Sequence, residues 1–215
     1  MDFVVAKEFI TFFECYRFDS ILEKFNLLIH FCYTNIQKSK LCEVKRELFE
    51  QKYLNIKENL IKNKFYNFHL NHIFENLEQD ISQLEKILIL PLGRCHGDLT
   101  LSNVLFLENK IVLIDFLDSF IETPLQDIVK LRQDTKHKWS LNLYKNSYDK
   151  TKINIILDIL DKKVEQYFKT FDFYKSYYTF FQKINLFRIM PYVKNKKIMS
   201  YLIKEILKLK NEEEQ

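Results

Sequence analysis

The sequence predicts an α+β fold that is predominantly helical and contains a small β-hairpin. Apolar residues recur at helical spacing along most of the chain, and two short apolar runs flank one tight turn near its middle. No linker, repeat or low-complexity segment divides the 215 residues. A single domain over residues 1–215 is therefore expected, with helical parts at 1–90 and 122–215 around a hairpin segment at 91–121.

The helical part over residues 1–90 is predicted from its apolar spacing. The first helix is indicated by a recurring set of large apolar residues: Phe9, Ile10, Phe12, Phe13 and Tyr16. The stretch Ser20–Glu23 has the form of a capping box, which predicts the start of a second helix. Further helices are expected over residues 44–61 and from about 70 to 87, before Pro91 and Gly93 end this part.

The middle of the chain predicts a β-hairpin. Residues 104–107 and 111–114 are short apolar runs, and Glu108–Lys110 between them reads as a tight turn. A hairpin holds its two ends together, so Asn103 and Asp115 are expected to lie close to each other. After Pro124 the pattern is helical again. It predicts four helices, near residues 125–132, 152–169, 173–188 and 195–209.

Composition narrows the classes of function. The 33 basic and 29 acidic residues leave a formal charge of +4, which gives no reason to expect a nucleic-acid partner. No segment reaches the roughly 18 uninterrupted apolar residues of a membrane span, and the charged amino terminus argues against a signal peptide. The four cysteines lack zinc-ligand spacing, so they are expected to be reduced, mostly buried thiols. A cytoplasmic protein without a membrane partner is expected.

Three oxygen-bearing side chains cluster around the predicted hairpin. Asn103 and Asp115 offer hard oxygen ligands, which suit Mg²⁺ carried in with the phosphates of a nucleotide. Asp98 lies in a loop that Gly97 can bend sharply, because glycine has no Cβ. A carboxylate presented there can accept the proton of a substrate hydroxyl that attacks phosphorus. His96, between a cysteine and a glycine at a predicted strand end, is expected to be a hydrogen-bonded core residue.

The run from His96 to Asn103, followed by a hairpin and then Ile114-Asp115-Phe116, resembles the catalytic loop and metal motif of the aminoglycoside phosphotransferase and choline kinase family. The stretch from Pro124 to Ile128 is similar to the Pro-x-x-Asp-Leu segment of the same group. The resemblance implies a protein-kinase-like carboxy-terminal lobe. It also assigns each site residue a role: Asp98 as catalytic base, Asn103 and Asp115 as Mg²⁺ ligands, and His96, Gly97 and Asp127 as structural support.

Residues just after the metal motif bear on the phosphoryl acceptor. Leu117 stands where protein kinases have a glycine, as in small-molecule kinases, and this favours a small-molecule acceptor. Asp118 and Ser119 could orient that acceptor. The run Lys130–Asp134 could do the same, but charges on an exposed helix surface would look identical.

The function implied is ATP- and Mg²⁺-dependent phosphoryl transfer to a hydroxyl of a sugar, an amino alcohol or an aminoglycoside-like compound. Gly93 and Gly97 are the only glycines, so no glycine-rich phosphate-covering loop can be built, and the amino-terminal lobe is expected to be absent. Residues 3–7 mimic the strand that carries the kinase lysine, but residues 1–3 more resemble the hinge between lobes. Two alternatives stay open: a non-catalytic kinase-like lobe, which would be a split or truncated gene product or a binding module, and a separate chain that supplies the missing lobe.

Overall fold

The computed structural model describes residues 6–66 and 70–213, with side chains described up to residue 209. These residues form nine α-helices and four strands. In chain order they are α1 (Phe9–Cys15), α2 (Phe18–Lys38), β1 (Lys40–Lys45), α3 (Glu47–Ile61), α4 (Asn71–Gln83), β2 (Ile87–Leu92), β3 (Val104–Phe106), β4 (Ile111–Leu113), α5 (Pro124–Thr135), α6 (Trp139–Leu143), α7 (Lys150–Phe168), α8 (Asp172–Ile189) and α9 (Lys196–Glu213). Two short 3₁₀ turns, Leu101–Asn103 and Met190–Tyr192, complete the set. The protein is mostly helical with small strand pairs, as an α+β fold requires.

The described residues form two compact units. The first takes its residues from Met1–Lys40 and Pro91–Lys175, and the second from Leu41–Leu90 and Ser176–Gln215. The expectation of a single domain stays a prediction beside this division.

The first unit is built around the predicted hairpin. β3 pairs antiparallel with β4, with Val104 opposite Leu113 and Phe106 opposite Ile111. Phe106 is buried and its ring stacks on that of Phe12, 4.9 Å between centroids. Its backbone also exchanges two hydrogen bonds with that of Lys7, at 3.0 and 2.9 Å. Helix α1 therefore packs against the hairpin and fixes its position.

Helix α5 runs through the interior of the first unit. Its start has three matching signals: the Thr123 hydroxyl accepts a hydrogen bond from the Leu125 N–H (3.3 Å), Pro124 occupies the first turn, and acidic Asp127 follows. Nearly every residue of the helix is buried, the charged ones included. The Arg132 guanidinium is held by Asp161 of helix α7, at 2.9 and 2.8 Å. Such a helix cannot shift without breaking buried polar contacts.

The second unit contains most of strands β1 and β2, which pair as a two-stranded sheet. It also contains helices α3, α4 and α9 and most of α8. Helices α3 and α4 are linked by the Tyr53 hydroxyl, which donates to Glu78 at 2.6 Å. The side-chain NH₂ group of Asn63 donates to three main-chain carbonyls in and just after the second 3₁₀ turn, those of Met190, Pro191 and Val193. Along α9 the buried residues recur at helical spacing, as predicted: Met199, Leu202, Ile206 and Leu209.

Several expected elements differ from the structure. Residues 1–90 are not wholly helical, because β1 and β2 lie within them and take up residues that the helices at 44–61 and 70–87 were expected to include. Leu88 and Leu90 are buried while Ile89 is 45% exposed, the alternation of a strand. A short continuous apolar run does not distinguish helix from strand, and here pairing with a distant strand decides the outcome.

Three smaller expectations also change. Helix α2 begins at Phe18 with Arg17 as its cap, so the Ser20–Glu23 capping box is not used. Helix α6 was not expected. All four cysteines are free, but only Cys32 is buried and Cys15 is exposed. The expectation that the thiols are mostly buried was therefore wrong. The four helices expected after Pro124 are confirmed to within a few residues.

Two expectations concern the amino terminus. The hinge-like residues 1–3 lie outside the described residues, as do residues 3–5 of the lysine-bearing strand. Lys7 itself is described, and its ammonium lies 4.9 Å from the centroid of the Tyr16 ring. Over the part of the chain that the structure describes, no helix has the length and apolar character needed to cross a membrane.

Candidate active site

The predicted site lies in the loop formed by residues 96–103, which comes just before the hairpin in the chain. Gly97 lies at the bend of this loop with φ of +82°, in the left-handed region that favours glycine. The His96 carbonyl next to it accepts a hydrogen bond from the Leu117 N–H at 3.0 Å. The bend therefore brings the 96–103 loop against the segment that follows Asp115.

Asp98 follows the bend, and both of its carboxylate oxygens are engaged. Oδ2 accepts a hydrogen bond from the side-chain amide of Asn103 at 3.0 Å. Oδ1 lies 2.9 Å from the ammonium of Lys130 on helix α5. The Asp98 side chain keeps 27% of its surface exposed, so the carboxylate is held in place and is still open to a ligand.

The side chain of Asn103 is oriented by the same contacts. Its Nδ2 donates to the main-chain oxygen of Asp98 (2.8 Å) as well as to the carboxylate. Because both contacts use the NH₂ group, the amide oxygen is left as the acceptor that faces away from Asp98. That oxygen is the atom a cation would use.

Asp115 is placed beside Asn103 by the hairpin. Ile114, the residue before it, donates its N–H to the Asn103 carbonyl at 3.1 Å, which extends the ladder by one residue. Asp115 then adopts φ of +58°, which turns the chain out of the strand, and its side chain is exposed. The hairpin thus brings together the two residues predicted as metal ligands, and the carboxylates of Asp98 and Asp115 are both accessible.

His96 connects the 96–103 loop to the end of the hairpin. Its Nε2 lies 2.8 Å from the Ile114 carbonyl and its Nδ1 lies 3.3 Å from the Asp98 N–H. A neutral imidazole with its proton on Nε2 satisfies both contacts, since it donates to the carbonyl and accepts from the amide. Burial lowers the pKa of His96, against the opposing effects of the carbonyl and of the Asp98 and Asp115 charges. The histidine is therefore a buried, hydrogen-bonded core residue, and its role as a support of the site stays a prediction.

Asp127 on helix α5 anchors the start of the loop. Its carboxylate accepts the N–H groups of His96 (2.8 Å) and Gly97 (2.9 Å), and the residue is fully buried. Burial raises the pKa of Asp127 to about 7, although the two N–H donors act in the opposite direction. The carboxyl group fixes the loop backbone and does not reach the exposed side of the site.

Two residues of α5 have roles that the sequence reasoning missed. Lys130 pairs with Asp98, and the carboxylate of Asp134 accepts the N–H of Leu101 at 2.6 Å. The run Lys130–Asp134 is mostly buried, so the alternative of an exposed charged surface was wrong for it. The available signal was spacing: positions three and seven residues after Asp127 share its helix face.

The two residues expected to orient an acceptor are placed differently from each other. Asp118 is exposed just beyond Asp115. The Ser119 hydroxyl is buried and has no hydrogen-bond partner among the residues the structure describes. Asp118 is therefore the better placed of the two to meet a ligand from solvent.

The donor set fits a cation that arrives with phosphate. Among residues 6–66 and 70–213, no three His, Cys, Asp or Glu side chains gather as a metal-binding group. The oxygens on offer are the amide oxygen of Asn103 and the exposed carboxylate of Asp115. Mg²⁺ in nucleotide sites is held in this way, by one or two protein oxygens together with phosphates and water.

Comparison with known proteins identifies a family for this chain. The family model described as the phosphotransferase enzyme family, APH, matches residues 40–147, about half of the chain. This range contains the 96–103 loop, the hairpin and helix α5. No curated protein matches the chain. The chain belongs to the phosphotransferase enzyme family.

Proposed function

We propose that this protein transfers the γ-phosphoryl group of Mg·ATP to a hydroxyl of a small molecule such as a sugar, an amino alcohol or an aminoglycoside-like compound. The observation that carries the proposal is the convergence of Asp98, Asn103 and Asp115 at one end of the hairpin, with both carboxylates accessible. Membership of a phosphotransferase family supports this chemistry. On this proposal the fold corresponds to the carboxy-terminal lobe of a kinase.

Asp98 is the proposed general base. A carboxylate has about four lone-pair directions, and the contacts with Lys130 and Asn103 occupy two of them. A third can accept the proton of the acceptor hydroxyl as its oxygen forms a bond to the γ-phosphorus. The bond from that phosphorus to the bridging oxygen of ADP breaks, and Asp98 later releases the proton to solvent.

Asn103 and Asp115 are the proposed Mg²⁺ ligands. The ion would neutralise the charge of the nucleotide phosphates. The protein contributes orientation, because the hairpin fixes the backbone of Asn103 against that of Ile114 and the Asn103 amide is locked by Asp98. Most of the rate enhancement is expected from this positioning.

The acceptor is proposed to bind on the open side of the 96–103 loop, near Asp118. Phe116 is 50% and Leu117 57% exposed beside it, so the surface there is apolar between the carboxylates of Asp115 and Asp118. That combination suits a small molecule with a carbon skeleton and polar substituents.

One observation favours a second candidate, a kinase-like lobe that is not catalytic alone. Gly93 and Gly97 are the only glycines of the 215 residues, so the glycine-rich loop that covers nucleotide phosphates is not among them. A separate chain that supplies such a loop would reconcile this composition with the intact acidic site.

The binding test compares Mg·ATP titrations of the wild type and of Asp115→Asn by calorimetry. Loss of at least about tenfold in affinity is expected, since Asp115 is the charged one of the two proposed protein ligands and the substitution removes that charge. Asp172→Asn removes a similar charge from a side chain that is 96% exposed, and should bind as the wild type does. Equal affinity in all three proteins would exclude the metal assignment.

The activity test measures ADP release with a panel of sugars, amino alcohols and aminoglycosides. With an active acceptor, Asp98→Asn should lower kcat by about 10²- to 10⁴-fold and leave the affinity for Mg·ATP nearly unchanged. Binding of Mg·ATP that appears only after addition of a glycine-bearing partner chain would favour the two-chain form. No binding under either condition would favour the non-catalytic lobe.

A further inference from the structure

Three charged side chains of helix α5 contact the 96–103 loop. Asp127, Lys130 and Asp134 are spaced by three and four residues, so they lie along one face of the helix. Each meets a different part of the loop: Asp127 meets its first two residues, Lys130 meets Asp98, and Asp134 meets Leu101. This face of helix α5 therefore contacts the loop along its length.

The two acidic residues fix the loop backbone on either side of Asp98. Asp127 takes the N–H groups of His96 and Gly97, and Asp134 takes that of Leu101 at 2.6 Å. Asp134 is buried and also accepts the N–H of Ser140 at 2.8 Å, so it is itself held. Between these anchors, the loop backbone lies at a fixed separation from helix α5.

At this separation the side chain of Lys130 reaches the carboxylate of Asp98. Its Nζ lies 2.9 Å from Asp98 Oδ1, and its side chain is only 11% exposed. An ion pair shielded to this degree is weakly screened by salt. The second oxygen of Asp98 is held by Asn103 at 3.0 Å. The plane of the carboxylate is therefore set by two contacts, one from the helix and one from the loop.

We propose that Lys130 is a positioning residue for phosphoryl transfer, which holds the Asp98 carboxylate in the orientation that accepts the hydroxyl proton. This inference rests on the proposed function of Asp98. Without the ammonium, the carboxylate keeps one fixed oxygen and rotates about its Cβ–Cγ bond. The reacting lone pair then points at the acceptor hydroxyl for a smaller fraction of the time, and turnover falls while nucleotide binding persists.

The test uses Lys130→Met, which keeps the length of the side chain and removes the charge, and Lys130→Arg, which keeps the charge. Lys183→Met is the matched control. Lys183 pairs with Asp80 at the same 2.9 Å, with side-chain exposures of 5% and 24% against 11% and 27% for the Lys130 pair. Thermal midpoints of all variants show what each substitution costs the fold.

Kinetics separate a positioning role from a structural one. With an active acceptor, Lys130→Met should lower kcat by about tenfold or more while KM for Mg·ATP changes by less than about twofold. Lys130→Arg should recover most of the turnover, and Lys183→Met should retain it. A Lys130→Met protein that turns over as the wild type does would overturn the inference.

A second measurement does not depend on activity. The side-chain NH₂ group of Asn103 donates to Asp98, so its NMR signals report where the carboxylate lies. They should shift in Lys130→Met and stay in place in Lys183→Met. Unchanged Asn103 signals in Lys130→Met would refute the positioning role even in a protein without transferase activity. If the wild type is inactive with every acceptor but the Asn103 signals shift in Lys130→Met, the positioning of Asp98 is upheld. Only the proposed function is then contradicted.

Discussion

Gly97 faces the carbonyl oxygen of Leu117 so closely that no side chain fits between them. A Cβ at position 97 would lie 1.9 Å from that oxygen. The Leu117 N–H meanwhile donates to the His96 carbonyl, so the two segments cannot move apart without losing this bond. The requirement for glycine therefore comes from the pairing of the 96–103 loop with the segment after Asp115, in addition to the bend itself.

Gly97→Ala is expected to be among the most destabilising single substitutions in the site. The left-handed conformation costs a non-glycine residue roughly 1–2 kcal/mol, and displacement of a backbone carbonyl adds to that, for a loss of about 3 kcal/mol or more. Denaturant unfolding followed by circular dichroism measures it.

Gly93→Ala is the control for this prediction. A Cβ there would lie 2.6 Å from the Ser39 hydroxyl, and φ of Gly93 lies outside the left-handed region. The Ser39 hydroxyl can rotate away, although it gives up a hydrogen bond to the Asn35 carbonyl. The Cα of Ser39, 3.1 Å from the added Cβ, must also shift by a few tenths of an ångström. A loss of about 1–2 kcal/mol, smaller than that of Gly97→Ala, is expected. Equal losses for the two alanine variants would contradict the account of Gly97.

Asp127 is expected to make stability depend on pH in an unusual direction. Burial raises the pKa of Asp127 to about 7, from an ordinary value of 3.8. The folded state therefore binds this proton more tightly than the unfolded state does. The stability from this group is fully present below about pH 4 and is lost as the pH rises towards 7, at up to about 1.4 kcal/mol per pH unit.

The measurement is the unfolding free energy of the wild type minus that of Asp127→Asn, from pH 4.5 to 8. The asparagine does not titrate, so subtraction removes the contribution of other carboxyl groups. The nearby thiols of Cys32 and Cys95 stay neutral in this window, since burial raises the pKa of Cys95 to about 12 and that of Cys32 well above its usual value. The difference should fall with rising pH and level off above about 7. A flat difference would mean that the two N–H donors outweigh burial.

The hairpin part of the site was predictable because its signals are local. Two apolar runs with a turn between them fix the register, and the register brings Asn103 to the residue before Asp115. The bend at Gly97 is local as well. Helices α5, α7, α8 and α9 likewise follow from apolar spacing within each segment.

Contacts between distant segments were not predictable in the same way. Strands β1 and β2 pair across more than one intervening helix, so neither segment shows on its own that it is extended. The ion pair between Lys130 and Asp98 joins residues about 30 positions apart. A lysine on an amphipathic helix looks the same in sequence whether it faces solvent or a buried loop. Only the packing of α5 against the 96–103 loop decides between these two environments.

Asp134 is expected to stabilise both the 96–103 loop and the start of helix α6. Asp134→Ala would leave the N–H groups of Leu101 and Ser140 buried and unpaired. Each unpaired donor costs about 1–3 kcal/mol, so a total loss of about 2–6 kcal/mol is expected for the two. Hydrogen exchange should quicken first at these two amides.

Asp158→Ala provides the comparison for Asp134. Asp158 pairs with Lys138 at 2.6 Å, but its side chain is 65% exposed. Exposed pairs contribute about 0–1 kcal/mol, so little loss is expected. If the two alanine variants lost similar stability, the buried carboxylate of Asp134 would not be holding the loop.

Asn103→Asp is expected to trade stability for affinity towards Mg²⁺. The amide of Asn103 donates twice to Asp98, and a carboxylate in its place could only accept. Two adjacent carboxylates would repel each other, and a cation would relieve the repulsion while gaining a charged ligand. The variant should therefore unfold more easily than the wild type in EDTA and be stabilised more by Mg²⁺.

At a Mg²⁺ concentration of ten times Kd, binding adds about 1.4 kcal/mol. Thermal unfolding with and without about 10 mM MgCl₂, which is about ten times a millimolar Kd, measures the difference. Asn59→Asp adds the same charge at an exposed position of α3 and should respond to Mg²⁺ as the wild type does. A response of Asn103→Asp no larger than that of Asn59→Asp would remove Asn103 from the metal site.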